Sequence, residues 1–304
     1  MLLRYSRQST IGCAILYRAR SVSVFSRRDL QRRPPGNGRH GHRTLPRAMQ
    51  SMTGAMKEAV DFTNPPVTET MLGAWFSPLP WDASLFGLYR TAMRDRYPHF
   101  EDAPPVTSPG LSSPFSQSRG IYLSASKDVL VQVQPTMHYV NWRRLIEASQ
   151  AYPRYREQQA RFMEEWAHFN AFLASEVRPL PAVSFVQVCY VNHIDVPEGS
   201  TQGQRLCEIL ANGEDFQMLT RSTAVNFSCN FSTKNGTDVV VQVGSAIRAA
   251  DNRSVLQLQL TSNRAPSSSS ADDLAVSFDC AHDDLISTFL EITSEAARKK
   301  WGQQ

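Results

Sequence analysis

Two short runs of this chain, Asn141-Trp142-Arg143-Arg144 and Tyr152-Pro153-Arg154-Tyr155, bring an amide, an indole, guanidinium groups and phenols close together in sequence. A strand end and a helix start converge there, so these groups could share one pocket, suited to a carboxylate or phosphate and a flat ring. The same residues have a structural reading, in which Trp142 packs under the helix and Arg143 or Arg154 pairs with an acid such as Glu69. His282 follows Asp279 by three residues. In the first turn of a last helix, its imidazole would stay neutral at the positive helix end and could accept a proton. Equally, it could be a core histidine with Asp279 as the helix N-cap. His193, at the end of a central strand, admits both readings.

Other chemistries find little to rest on. Glu165 and His168 have the E-x-x-H spacing of carboxylate-bridged metal sites, but such sites need two inward-facing copies; here one copy is present and is expected to face solvent. The five cysteines, Cys13, Cys189, Cys207, Cys229 and Cys280, are scattered and never form a CxxC pair, unlike a zinc site or a disulfide framework. The chain lacks a G-x-S-x-G elbow, a phosphate-binding G-x-x-x-x-G-K-[ST] loop and a G-x-G-x-x-G fingerprint. No metal and no cofactor is therefore expected, and no catalytic residue is assigned.

The 304 residues carry a formal charge of +4, but the charge is uneven. Residues 1–56 hold 11 arginines against the single acid Asp29, a net of +10, so residues 57–304 sum to −6. The body thus lacks the basic excess that neutralises phosphates, and nucleic acid is not an expected partner. No run of about 18 apolar residues suggests a membrane span. The basic start reads as a disordered extension, either transit-like or upstream of the true start at Met49, Met52 or Met56.

The elements that must position these residues begin at Pro65-Pro66. Val67–Phe76 reads as a strand, Asp82 as the N-cap of a helix with Trp81 and Phe86 as a hydrophobic staple, and 103–118 as a Pro/Ser/Gly-rich loop. Alternation over Ile121–Leu123 and Val129–Val133 predicts two strands or one bent strand leading into Asn141. After Pro153, the residues Tyr155, Phe162, Trp166, Phe169 and Leu173 form one helical stripe. Val183–Ile194 reads as an interior strand, 195–215 as a loop with a helical turn or two, and Val225-Phe227-Cys229-Phe231 as a strand with one buried face. Asn235-Gly236 and Asp251-Asn252 mark hairpin turns. A final helix is expected from about Asp279, with Leu285, Phe289, Ile292 and Ala296 along one stripe. Consecutive strands joined as hairpins predict an α+β fold: a curved, mainly antiparallel sheet with two or three long helices packed on one face, in a single domain over 62–302.

Pro65-Pro66-Val67-Thr68-Glu69, Val131-Gln132-Val133-Gln134, Asn141-Trp142-Arg143, Tyr152-Pro153-Arg154-Tyr155 and the run Phe278-Asp279-Cys280-Ala281-His282 to Phe289-Leu290-Glu291-Ile292-Thr293 together resemble a sporadically distributed family of bacterial proteins with no assigned chemistry. The resemblance spans about residues 62–302 and implies a soluble, patchily inherited accessory protein; the scattered cysteines point to a reducing cytoplasm. The functional expectation is a binding or interaction protein that recognises an anionic or aromatic ligand, or a partner segment, through Asn141, Trp142, Arg143, Arg154, Tyr155 and His282. The alternative is an enzyme of unfamiliar type, with a histidine base and an arginine anion clamp.

Overall fold

A computed structural model describes residues 61–106, 119–145, 152–176 and 178–304. The basic extension over 1–56 and residues 107–118 of the expected 103–118 loop lie outside the described residues. Pro65-Pro66 delivers the chain into β1 (Val67–Phe76), which has the bounds read from sequence. Asp82 caps α1 (Ala83–Met93) by accepting from the Ser84 and Leu85 amides at 3.0 and 3.2 Å, and the Trp81 and Phe86 rings meet at 5.4 Å, as a staple requires.

Four strands follow: β2 (His99–Ala103), β3 (Arg119–Leu123), β4 (Val129–Gln134) and β5 (Met137–Arg143). Of the two readings before Asn141, two strands and not one bent strand form, as β3 and β4; Pro135-Thr136 then turns the chain into a further strand, β5, which carries Asn141. β2 is an addition that the sequence pattern does not announce. Then come α2 (Tyr155–Ser175), β6 (Val183–Asp195), α3 (Gln202–Ile209), a 3-10 segment (Gly213–Arg221), β7 (Asn226–Ser232), β8 (Asp238–Arg248), β9 (Arg253–Arg264), α4 (Ala271–Ile292) and α5 (Glu295–Lys300). Gly236 at φ 79° and Asn252 at φ 55° make the two hairpin turns, where left-handed backbone favours Gly and Asn.

The nine strands among the described residues form one antiparallel sheet in the order β2-β3-β4-β5-β1-β6-β9-β8-β7, in the expected α+β class. The same succession occurs twice: strand, helix, meander, helix. In the first half, β1 pairs with the last meander strand, β5; in the second, β6 pairs with its counterpart, β9. The two lead strands then pair with each other at the centre of the sheet.

Alternation along the strands sends two different sets of side chains to the two faces. One face is apolar and takes the long helices. Phe76 and His138 meet Trp166 and Phe169 of α2, Tyr122 meets Tyr89 of α1, and Phe162 meets Phe278 of α4. His138 is fully buried in this layer; neither ring nitrogen has a hydrogen-bond partner.

Three local expectations are revised. α4 starts at Ala271, capped by Ser270, whose hydroxyl accepts from the Asp273 amide. Asp279 and His282 therefore sit mid-helix, far from a positive end. Thr293 then adopts extended backbone, so Ala296 belongs to α5 and not to the same helix as Leu285. Of the E-x-x-H pair, Glu165 is buried and not solvent-facing, bonded by Arg96 Nη1 at 2.8 Å and the Tyr97 hydroxyl at 2.9 Å.

Candidate polar sheet face

The strand alternation that fills the helix layer also splits the Asn141-Trp142-Arg143 run. Trp142 points into the helix layer, buried, with its ring 5.6 Å from Tyr152. Asn141 and Arg143 point to the opposite face, beside Met71 and Glu69 of β1. The expected single pocket is thus two separate groups, one on each side of the sheet.

On the helix side, Arg154 sits at the N-cap of α2 and is bound to the Asp61 carboxylate, and to the Phe62 carbonyl at 3.2 Å. Tyr155 lies face to face with His282, ring centroids 3.7 Å apart and planes 14° apart, with the Tyr190 ring edge-on at 6.1 Å. The Tyr155 hydroxyl, Arg156 Nη1 and Gln159 Nε2 all donate to Asp279 Oδ1, at 2.8, 2.7 and 2.8 Å. Burial, reinforced by the bond to Asp279, holds the Tyr155 phenol well above its ordinary range. Burial likewise pushes the Tyr152 phenol up to about 12. One carboxylate accepting three donors from the neighbouring helix locks α2 to α4, so this group is a fastening between helices.

The other face carries none of the contacts just described for α1, α2 and α4, yet its central residues are buried and largely polar. Reading across by register, one row runs Gln132, Tyr139, Gly73, Gln187 and Asn263 over five strands, and another runs Arg143, Glu69, Val191, Gln259 and Gln242. The first row is wired along its length: the Tyr139 hydroxyl accepts from Trp75 Nε1 and donates to Gln187 Oε1 at 2.6 Å, and Gln187 Nε2 donates to Asn263 Oδ1 at 2.6 Å. Arg119 Nη1 donates to Gln132 Oε1 at 2.8 Å. The Tyr139 ring lies across Gly73, where a Cβ would fall 2.3 Å from two ring carbons; only glycine leaves room for it.

At one end of this face stand Glu69, Asn141 and Arg143. Asn141 is 1% exposed; its Nδ2 donates to Glu69 Oε1 at 2.8 Å, while its Oδ1 has no hydrogen-bond partner. Arg143 Nε donates to the Lys127 carbonyl at 2.8 Å, and the residue is half-buried. Burial raises the Glu69 carboxyl above its ordinary range, against the lowering effects of the Asn141 bond and of the Arg143 and Arg119 charges. A carboxyl raised by folding stabilises the fold at low pH and loses that contribution as pH rises through the folded value. Glu69→Gln keeps the acceptor for Asn141 and deletes the buried charge. Its melting temperature should exceed that of the parent at pH 8 and converge with it at pH 4; equal melting temperatures at pH 8 would contradict the assignment.

His193 shares this face, with Nε2 3.4 Å from Gln257 Oε1 and Nδ1 unpartnered; burial lowers its pKa, opposed by the Gln257 bond. Among the described residues, no group of three or more His, Cys, Asp or Glu is arranged to hold a metal ion, and no helix is long and apolar enough to cross a membrane. Sequence reading missed Arg119, Gln132, Tyr139 and Gln187. For Gln132 the signal is the polar alternation in Val-Leu-Val-Gln-Val-Gln of β4, which recurs as Leu-Gln-Leu-Gln-Leu-Thr in β9.

Comparison with known proteins adds little to this geometry. No family model matches the chain, and no curated protein matches it. A solved structure described as KH domains aligns over 79% of this chain and 88% of its own at 9% identity, with a TM-score of 0.21, too low to support any statement on fold or nucleic acid.

Proposed function

We propose that this is a binding protein that performs no chemistry, and that the Glu69, Asn141 and Arg143 end of the polar sheet face takes an anionic ligand or an acidic partner segment. The observation that carries this reading is Asn141 Oδ1, a buried acceptor with no partner, beside a half-buried guanidinium. An unsatisfied buried acceptor costs about 1–3 kcal/mol, a cost removed by an occupant that brings an N–H or O–H donor beside its anionic group, as an acidic peptide segment does through its backbone amides. The Arg143 guanidinium stands beside a carboxyl that burial biases toward its neutral form, a combination that favours an anion. Alongside the family likeness, the reading makes the chain a soluble, cytoplasmic bacterial accessory binder.

The alternative, an enzyme with a histidine base and an arginine clamp, needs a histidine near a carboxylate and in the same cleft as the arginine. His282 Nδ1 is 3.4 Å from Asp283, but it stacks on Tyr155 in the helix layer, across the sheet from Arg143. His193 is on the right face, but its ring bonds Gln257, an amide.

Arg143→Ala tests the binding reading. Its melting temperature should stay near that of the parent, because truncating a side chain with one backbone contact costs about 0.5 kcal/mol. Retention of whatever anionic molecule or acidic partner the parent chain captures should fall by at least about tenfold, the equivalent of one charged hydrogen bond. A large fall in melting temperature with retention intact would make Arg143 structural.

A further inference from the structure

The sheet ends differently on its two sides. The β2 edge is short, follows Pro98, precedes Pro104-Pro105 and carries His99, Glu101 and Asp102, the devices that prevent strand addition. The β7 edge has none of them. Its seven residues, Asn-Phe-Ser-Cys-Asn-Phe-Ser, include no charge, proline or glycine, pair with β8 in unbroken register, and are all exposed. Sequence alternation predicted a buried face for Phe227, Cys229 and Phe231. Instead Phe227 is 36% and Phe231 42% exposed, because among the described strands β7 is the last and has a neighbour on one side only.

From this unprotected edge we propose that β7 pairs antiparallel with β7 of a second copy of this chain, about a two-fold axis through Cys229. The sequence is self-complementary under that operation. With Cys229 opposite itself, Phe227 faces Phe231 of the second copy on one side of the sheet, and Ser228 faces Asn230 on the other. Two aromatic cross-strand pairs result, and no charge is buried.

The backbone parity agrees. The Thr233 amide donates to the Thr237 carbonyl at 2.8 Å, and the Ser245 amide to the Val225 carbonyl at 2.8 Å. The odd-numbered residues of β7 therefore turn their backbone groups toward β8, and the even-numbered ones turn theirs outward. A two-fold at Cys229 makes Ser228 and Asn230 the hydrogen-bonded pairs and Cys229 a non-hydrogen-bonded pair, with Cα atoms about 4.5 Å apart. That spacing lies within the reach of a disulfide. Pairing would also join the polar faces of the two copies, since Asn226, Ser228 and Asn230 continue the rows of Gln257, Gln259 and Thr261. A single strand contact belongs to the weak, concentration-dependent class of interface.

Sedimentation velocity on the full chain, from low to high micromolar concentration, should show a monomer–dimer equilibrium. Asn230→Pro removes an outward amide that β8 does not use, so it should abolish the dimer while leaving circular dichroism unchanged. In case proline perturbs the strand, charge pairs supply an independent test. Phe231→Glu alone should weaken the dimer at least about tenfold, since a lost aromatic pair at each of two symmetric positions adds up. The double variant Phe227→Lys/Phe231→Glu should restore it, because each introduced lysine then faces an introduced glutamate of the other copy. Diamide, which takes the two electrons as two thiols become a disulfide, should cross-link the parent and not Cys229→Ser. A chain monomeric at every concentration, failure of the double variant to recover, or a cross-link that persists in Cys229→Ser would each overturn the proposal.

Discussion

Lowering the pH from 7 to 4 should cost the parent chain roughly 3 kcal/mol of stability that a His138→Leu variant does not lose. Burial, with a smaller contribution from the Arg96 charge, depresses the His138 imidazole from 6.5 to about 3. The folded state therefore keeps it neutral across this range, while the unfolded chain takes up a proton below about 6.5. Stability tied to this residue is complete above the unfolded value, falls as pH drops through the window, and levels off below about 3. The cause is geometric: β5 turns His138 into the ring layer of α2, with Phe169 at 4.9 Å, Trp166 at 5.7 Å and Phe162 at 5.9 Å. At pH 7 the same substitution should stabilise by about 1–3 kcal/mol, because two unpartnered ring nitrogens leave the core. Chemical denaturation of both chains at pH 7 and pH 4 checks both statements. Parallel losses in the two chains would mean that His138 does not control acid sensitivity.

Gly73→Ala should destabilise by roughly 2–5 kcal/mol, the sum of overpacking and a broken buried polar network. Ordinarily alanine improves on glycine in a strand. Here the new methyl would fall 2.3 Å from the Tyr139 ring, which the hydroxyl bonds to Trp75 and Gln187 hold in place. If that contact is the whole reason, the penalty should vanish in a Tyr139→Ala background, where the ring is gone. Thermal melts of the four chains in a double-mutant cycle give the coupling directly. A penalty that survives in the Tyr139→Ala background would place the demand for glycine elsewhere, in the backbone of β1.

The parts of the fold that could be read from sequence are those where local chemistry and tertiary demand agree. Pro65-Pro66 starts β1, the stripe from Tyr155 to Leu173 is buried as read, and Asn235-Gly236 closes its hairpin. The failures have equally local causes. β2, His-Phe-Glu-Asp-Ala, is an edge strand whose polar composition erases alternation. The start of α4 was hidden because Ser267–Ser270 looked like a loop, although Ser270 and Asp273 together form an N-cap signal. That error displaced His282 from mid-helix to a helix end and lent it a chemistry its position does not support.

The candidate site shows the same division. Asn141, Trp142 and Arg143 are consecutive, and period-two alternation alone forbids all three from sharing a face; this much was available from sequence. Glu69 could be named as an acid for Arg143 or Arg154, and the register sets it opposite Arg143; the row of Gln132, Tyr139 and Gln187 could not, because its members meet only through a register fixed by the complete sheet. The polar face also escaped notice because buried glutamines look like ordinary strand polarity until the opposite face is seen to carry the helices.

The two faces make one direct test possible. Native mass spectrometry of the parent chain, Arg143→Ala and Arg154→Ala, each purified in the same way, reads what each retains. Binding on the polar sheet face predicts that the parent and Arg154→Ala carry the same added mass and that Arg143→Ala has lost it. Loss with Arg154→Ala and retention with Arg143→Ala would contradict it, placing recognition on the helix side, at the start of α2.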